Sequence, residues 1–108
     1  MNSIDLEPVT KSAWGEHFRA CQFYRSDGNG WLASGVTIVT PAVTVELWNG
    51  GLGGDAIPAM VSGVGVYDGT QVRYKLIGGT AGSSYLVRIR ATDSTGQKFE
   101  ARMRMYVV

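Results

Sequence analysis

The sequence contains one cysteine, Cys21, and one histidine, His17. A single cysteine cannot form an intramolecular disulfide, so the chain needs no oxidising compartment in order to fold. A closed zinc site takes several cysteine or histidine ligands, and these two residues do not supply one. We therefore expect a protein without a disulfide framework and without a metal centre.

Long apolar runs and a strong charge imbalance are also absent. No run approaches the roughly 20 apolar residues that cross a bilayer. Residues 1–12 lack the basic start and apolar core of a signal peptide. The formal net charge is +1, whereas nucleic-acid binders normally carry a marked basic excess. We expect a protein made in a reducing cytoplasm, with neither a membrane nor a nucleic acid as its partner.

The composition is that of a small globular protein rich in turns. Of the 108 residues, 44% are hydrophobic and 18% are charged, and 15 are glycines against three prolines. This size and composition predict one domain over residues 1–108, close in length to an immunoglobulin-type sandwich. Residues 1 to about 12 read as an extended lead, in which Pro8 predicts that any strand lies at a sheet edge.

The region that best reveals the fold is the C-terminal third, residues 70–108. It holds three runs in which apolar and polar residues alternate, as they do on half-buried strands. Turn signals separate the runs at residues 77–83 and 93–96. The apolar positions are Val72, Tyr74 and Leu76, then Tyr85, Val87, Ile89 and Ala91, then Phe99, Ala101, Met103, Met105 and Val107.

Further strands are predicted at residues 18–24, 36–40, 42–48 and 59–67, with Pro41 dividing the second from the third. Seven or eight short strands with frequent turns predict an antiparallel β-sandwich of the immunoglobulin-like or fibronectin III-like type. Tyr85 opens a strand just after a glycine-rich corner. Its hydroxyl either ties back to the preceding backbone or belongs to an ordinary core tyrosine, and the sequence leaves both open.

Catalytic chemistry finds little support. Cys21 and His17 are the first pair to test, but four steps along a strand separate them by about 13 Å, far beyond hydrogen-bond contact. The glycine runs at residues 50–54 and 78–82 lack the Lys-Ser/Thr that completes a phosphate-binding loop. We expect no catalytic residues, no cofactor and no enzyme activity.

Two surface features are candidates for partner binding. The first is a row of four arginines on the outward face of the last two predicted strands, where Glu100 is placed to pair with one of them: Arg88, Arg90, Arg102 and Arg104. Like charges opposite one another weaken a sheet by up to about 1 kcal/mol per pair. The row is either an ordinary solvated face or a docking surface for an acidic partner.

The second feature is Trp48 and the glycine-rich loop that follows it, residues 49–58. Gly50, Gly51, Gly53 and Gly54 give the loop freedom, while Leu52 and Ile57 give it apolar surface. Burying each apolar side chain against a partner would contribute about 1.5–3 kcal/mol. The loop therefore either docks a partner through Trp48, Leu52 and Ile57 or folds back over its own sandwich.

Two stretches of the chain carry a distinctive order of residues: Trp31-Leu32-Ala33-Ser34-Gly35-Val36-Thr37-Ile38 and Leu76-Ile77-Gly78-Gly79-Thr80-Ala81-Gly82-Ser83-Ser84-Tyr85. They resemble a family of small tailed-phage virion proteins, the fibre–tail adaptors. Gly96, Gln97 and Glu100 continue the resemblance, while Val36 replaces an aspartate and the 49–58 loop looks like an insertion.

The resemblance implies an immunoglobulin-like structural protein that connects tail or baseplate to fibre and carries no catalytic residues. Its partners would be other virion proteins of the tail, baseplate and fibre, and it would occur in multiple copies in the tail region. One alternative is a carbohydrate- or receptor-binding sandwich that uses Trp48 and Tyr67 as stacking platforms. Another is a capsid decoration protein. The sequence leaves open the partners, the copy number, the host and which of the two surface features is the main interface.

Overall fold

The computed structural model describes residues 3–23, 32, 35–48 and 57–108, and it gives the backbone alone for residues 3–5. These ranges contain eight strands and one turn of 3₁₀ helix, Pro58–Met60. The strands are β1 Ser3–Asp5, β2 Val9–Lys11, β3 His17–Gln22, β4 Ile38–Leu47, β5 Val61–Tyr67, β6 Gln71–Leu76, β7 Ser84–Asp93 and β8 Lys98–Val107.

The strands form two sheets around a shared core. The larger sheet has the order β1–β8–β7–β4, with β2 also pairing with β8, and the smaller has the order β3–β6–β5. Pairing is antiparallel between β3 and β6, β5 and β6, β4 and β7, and β7 and β8. The predicted all-β sandwich of seven or eight strands is confirmed.

The N-terminal lead forms the edge of the larger sheet. β1 and β2 pair with β8 in parallel, in a register that joins Ile4 to Ala101 and Val9 to Met105. Lys11, only 1% exposed, fixes the end of β2, since its Nζ donates to the carbonyl of Gly78 at 2.6 Å. Burial lowers the pKa of Lys11. The edge position was predicted from Pro8, but the parallel direction was not.

The alternation predicted for the C-terminal third is confirmed. All the apolar positions named for its three runs are buried and belong to the core cluster. Leu86 is an exception on the opposite face, where it is only 4% exposed. It lies in register between Glu46 and Arg104, and long charged side chains of this kind cover apolar surface with their stems.

The division of residues 36–48 into two strands at Pro41 was wrong. A single strand, β4, runs from Ile38 to Leu47, with a register irregularity between Ile38 and Thr40 and with Pro41 opposite Ala91. β4 is the last strand of its sheet. An edge strand tolerates proline because its outward-facing backbone groups need no N–H donor.

Glycine-rich backbone at residues 78–82 makes the corner between β6 and β7. Gly78, Gly79 and Gly82 all have positive φ, at 67°, 103° and 88°, a conformation that glycine adopts at little cost. The Tyr85 hydroxyl accepts a hydrogen bond of 2.9 Å from the backbone N–H of Thr80. Of the two roles open for Tyr85, the structure therefore supports the tie to the preceding backbone.

Replacing Tyr85 with Phe tests this tie. The ring would keep its buried place, and only the hydrogen bond to the Thr80 N–H would be lost. We expect the free energy of unfolding to fall by about 0.5–1.5 kcal/mol, measured by urea denaturation. Hydrogen exchange at Thr80 should accelerate by more than at neighbouring amides. Unchanged exchange at Thr80 would show that the bond does not hold the corner.

The turn predicted at residues 93–96 joins β7 to β8, and the carboxylate of Asp93 closes it. Its Oδ1 accepts hydrogen bonds from the Thr95 hydroxyl at 2.6 Å, the Thr95 N–H at 2.8 Å and the Gln97 N–H at 2.9 Å. These bonds, led by that of the Thr95 hydroxyl, hold the pKa of Asp93 below its ordinary value. The hairpin fixes the register that places the arginines of β7 and β8 side by side.

Candidate functional site

The pair Cys21 and His17 does not form a catalytic dyad. Both residues lie on β3, so their backbones are about 13 Å apart, as expected for four extended residues. Cys21 is buried, as predicted, and burial raises its pKa to about 11. Among the described residues, no three His, Cys, Asp or Glu side chains are grouped so that they would hold a metal ion.

Cys21 should be unreactive in the folded protein. With a pKa of about 11, roughly one thiol in a thousand is ionised at pH 8, and the thiolate is the form that reacts. We expect Ellman's reagent to label Cys21 only in urea, at the rate of global unfolding. Labelling in the native state within minutes would contradict the burial of this thiol.

The arginine face is the outer side of the larger sheet. It carries Arg88 and Arg90 on β7 and Arg102 and Arg104 on β8, as predicted. In the register of these strands Arg88 lies opposite Arg102, whereas Arg90 lies opposite Glu100. The four arginines therefore lie on one surface, and carboxylates lie on the same surface.

Carboxylates neutralise much of this face. Arg90 Nε lies 2.8 Å from Glu100 Oε1, and Arg88 Nη1 lies 3.4 Å from the same oxygen. Arg88 Nε is also 3.2 Å from Glu46 Oε1, and this contact is an ion pair without a hydrogen bond. Burial raises the pKa of Glu100, but the hydrogen bonds and charges of Arg90 and Arg88 outweigh that effect, and the net pKa is lowered.

Trp48 and Arg104 meet at one corner of the arginine face, which we call the Trp48–Arg104 corner. The backbone N–H of Trp48 donates to the carbonyl of Ser84 at 2.8 Å, which holds Trp48 beside the start of β7. The Arg104 guanidinium carbon lies 4.9 Å from the centre of the Trp48 ring system. The structure therefore brings together the two surface features that the sequence suggested separately.

Of the two apolar residues named in the glycine-rich loop, Leu52 and Ile57, the structure describes only Ile57. Leu52 lies outside the described residues, as do residues 49–51 and 53–56. Ile57 is half-buried and packs against the core, and its N–H donates to the carbonyl of Val45 at 2.7 Å. Ile57 therefore gives its apolar surface to its own sandwich, as the fold-back alternative predicted for that residue.

A second exposed surface was not predicted from the sequence. The outer side of the smaller sheet carries Phe18 on β3, Arg73 and Lys75 on β6, and Tyr67 on β5, and we call it the cation–aromatic face. Phe18 is 84% exposed. The sequence could have revealed this residue, because Phe18 and Cys21 are three positions apart and side chains on a strand change face at every residue. A strand that buries Cys21 therefore turns Phe18 outward.

The two aromatic residues suggested as a sugar platform lie on different sheets. Trp48 belongs to the outer side of the larger sheet and Tyr67 to that of the smaller. Each ring is also covered by a cation, with the Arg73 guanidinium carbon 3.3 Å from the Tyr67 ring centre and Arg104 over Trp48. They therefore do not form one stacking platform.

No helix in the described parts of the chain is long and apolar enough to cross a membrane. A search of the curated proteins finds no match. A family model does match: that of the podophage GP4 fiber-tail adaptor protein gp77 covers residues 18–106. Because this match spans most of the 108-residue chain, the protein belongs to that family of phage structural proteins.

Proposed function

We propose that the protein is a non-enzymatic connector that joins the tail or baseplate of a phage to its fibre. It is made in the host cytoplasm and is incorporated into the virion in multiple copies. The observation that carries this proposal is the family match over residues 18–106, which agrees with the resemblance predicted from the Trp31–Ile38 and Leu76–Tyr85 stretches. The sandwich supplies a scaffold on which exposed side chains hold fixed positions.

One partner docks at the Trp48–Arg104 corner. Tryptophan and arginine are the residues that most often dominate the binding energy of protein interfaces. Trp48 is half-buried in the free protein and Arg104 is exposed, so the ring is already held in place while the guanidinium is open to a partner. Leu52 would extend this corner if the loop docks with it.

The other three arginines of the arginine face order this docking surface and are not its main contacts with the partner. Arg88 and Arg90 form ion pairs with Glu46 and Glu100. Arg102 is half-buried on β8, between β7 and the edge strand β1. Ion pairs at a protein surface contribute about 0–1 kcal/mol each. The part of these arginines in docking is to present an ordered surface on which most of the charge is balanced.

Incorporation into particles tests the proposal. Phage carrying Trp48→Ala or Arg104→Glu should contain about tenfold less of this chain per particle, because loss of an interface anchor costs about 1.4 kcal/mol or more. The amount is measured by quantitative mass spectrometry of purified virions against the major capsid protein. Val39→Ala and Lys98→Glu change exposed residues away from the corner and should incorporate normally.

Wild-type incorporation of both corner variants would contradict docking at the Trp48–Arg104 corner. Absence of the wild-type chain from purified virions would overturn the connector function itself. Melting temperatures of the purified variants show whether a loss of incorporation arises from unfolding. A variant that melts with the wild type but fails to incorporate locates the defect at the interface.

A further inference from the structure

The cation–aromatic face exposes aromatic side chains that make no contribution to the core. Phe18 is 84% exposed and Tyr67 is 45% exposed, although both stand on strands whose other sides build the core. Isolated exposed apolar residues are ordinary, but a group of them on one surface marks an interaction site.

Register places the members of this face together. Phe18 on β3 lies opposite Lys75 on β6, and Gly65 on β5 lies opposite Arg73. The alternate residues of β6, which include Tyr74, point into the core. Phe18, Arg73 and Lys75 therefore project from the same outer surface, where they line a shallow groove of about 550 Å³ with Ser62 and Gly63.

The cations of this face lie over aromatic rings. The Arg73 guanidinium carbon is 3.3 Å from the centre of the Tyr67 ring, and Lys75 Nζ is 5.4 Å from that of Phe18. Stacking of this kind orders a cation without neutralising it, because the ring carries no net charge. A carboxylate that approaches from solvent therefore meets charges that are already in position.

Of the two cations of this face, Arg73 and Lys75, it is Lys75 that is paired with a carboxylate, that of Glu16. Lys75 Nζ forms an ion pair with Glu16 Oε1 at 2.9 Å. Arg73 is exposed, and its Nε donates a hydrogen bond to the neutral side chain of Gln71 at 3.3 Å. Arg73 therefore differs from Arg88 and Arg90 of the arginine face, which Glu46 and Glu100 hold in ion pairs.

We propose that the cation–aromatic face docks an acidic protein surface, whose carboxylates meet Arg73 and Lys75 while an apolar group covers Phe18. The face lies on the opposite sheet from the Trp48–Arg104 corner, so the two surfaces can hold different proteins at the same time. A connector needs two such separate surfaces. This inference rests on the proposed connector function and assigns it a second contact.

Crosslinking in intact virions tests the inference. A photoreactive phenylalanine analogue, p-benzoylphenylalanine, is placed at position 18 in one phage and at position 48 in another. We expect position 18 to crosslink to a segment rich in Asp and Glu in a different virion protein from the one that position 48 reaches. Mass spectrometry of the crosslinked peptides identifies both segments.

Charge reversal supplies the second arm. The variant Arg73→Glu/Lys75→Glu should reduce the crosslink from position 18 about tenfold, because repulsion replaces attraction, and should leave the crosslink from position 48 unchanged. Lys98→Glu, which alters an exposed lysine of the other sheet, is the matched control. The reversed residues line the exposed side of β6, so the melting temperature should stay close to that of the wild type.

The outcomes separate the two proposals. Crosslinks from position 48 with none from position 18 would overturn the second contact and leave the connector function standing. Crosslinks from position 18 to DNA, to a neutral or basic segment, or to another copy of this chain would also overturn it. Absence of crosslinks from both positions in virions that contain the chain would contradict the connector function.

Discussion

Replacing Ile89 with Asp should leave the protein unfolded. Ile89 is fully buried at the centre of β7, opposite Val43 on one side and Ala101 on the other. Loss of the buried isoleucine side chain costs about 2–5 kcal/mol, and burial of an unpaired carboxyl group costs about 2–7 kcal/mol more. Together these costs are comparable with the free energy of unfolding of a domain of this size, about 5–15 kcal/mol. Circular dichroism should show the loss of sheet structure at 25 °C, and heating should produce no cooperative transition.

The matched control is Ala42→Asp. Ala42 is exposed on β4, and its register partner is Arg90, so the new carboxylate is solvated and lies beside a cation. We expect a melting temperature within a few degrees of the wild type, since exposed substitutions change stability by about 0.5 kcal/mol or less. Equal behaviour of the two variants would contradict the assignment of the core face. Arg88 is unsuitable as the control because Glu46 and Glu100 flank it.

Replacing Gly79 with Ala should be the most damaging small change at the β6–β7 corner. A Cβ at this position would lie 2.9 Å from Val107 Cγ2 and 3.1 Å from Met60 Cε, and both residues are buried. The φ of 103° adds strain for any residue other than glycine. Strain of about 1–3 kcal/mol and overpacking of a similar size should lower the free energy of unfolding by about 2–6 kcal/mol.

Gly78→Ala separates the two causes. Gly78 also has positive φ, 67°, but nothing lies within 4 Å of an added Cβ. We expect this variant to lose about 1–2 kcal/mol from backbone strain alone. Urea unfolding of both variants measures the difference. If Gly78→Ala costs as much as Gly79→Ala, the close packing of the corner against Val107 does not matter to stability.

The elements that the sequence predicted best are those set by local pattern. Alternation from Tyr85 to Ala91 and from Phe99 to Val107 identifies the two central strands, because side chains change face at every residue. The Asp93–Gly96 turn and the glycines before Tyr85 determine where those strands begin and end. Both features depend on residues close together in the chain, and both are confirmed.

Elements that depend on distant contacts were harder to predict. Pro41 would end a central strand but is accepted in β4 because β4 is an edge strand, a position that no local pattern reveals. The parallel pairing of β1 and β2 with β8 joins the two ends of the chain. Neither the edge position of β4 nor the direction of β1 is encoded in neighbouring residues.

The candidate surfaces show the same division. The arginine row follows from alternation alone, whereas the engagement of Arg88 by Glu46 requires the register of β4 against β7. The cation–aromatic face combines residues of β3, β5 and β6, which are brought together only by the smaller sheet. Phe18 and Lys75 are far apart in the sequence, so their contact could be found only in the folded chain.

Cryo-electron microscopy of the parent virion tests the connector function most directly. We predict density for this sandwich between the tail and the fibre, with the Trp48–Arg104 corner against one protein and the cation–aromatic face against another. A chain bound on the capsid surface, or at the free end of the fibre, would contradict the account. So would a position in which the sandwich contacts one neighbouring protein alone.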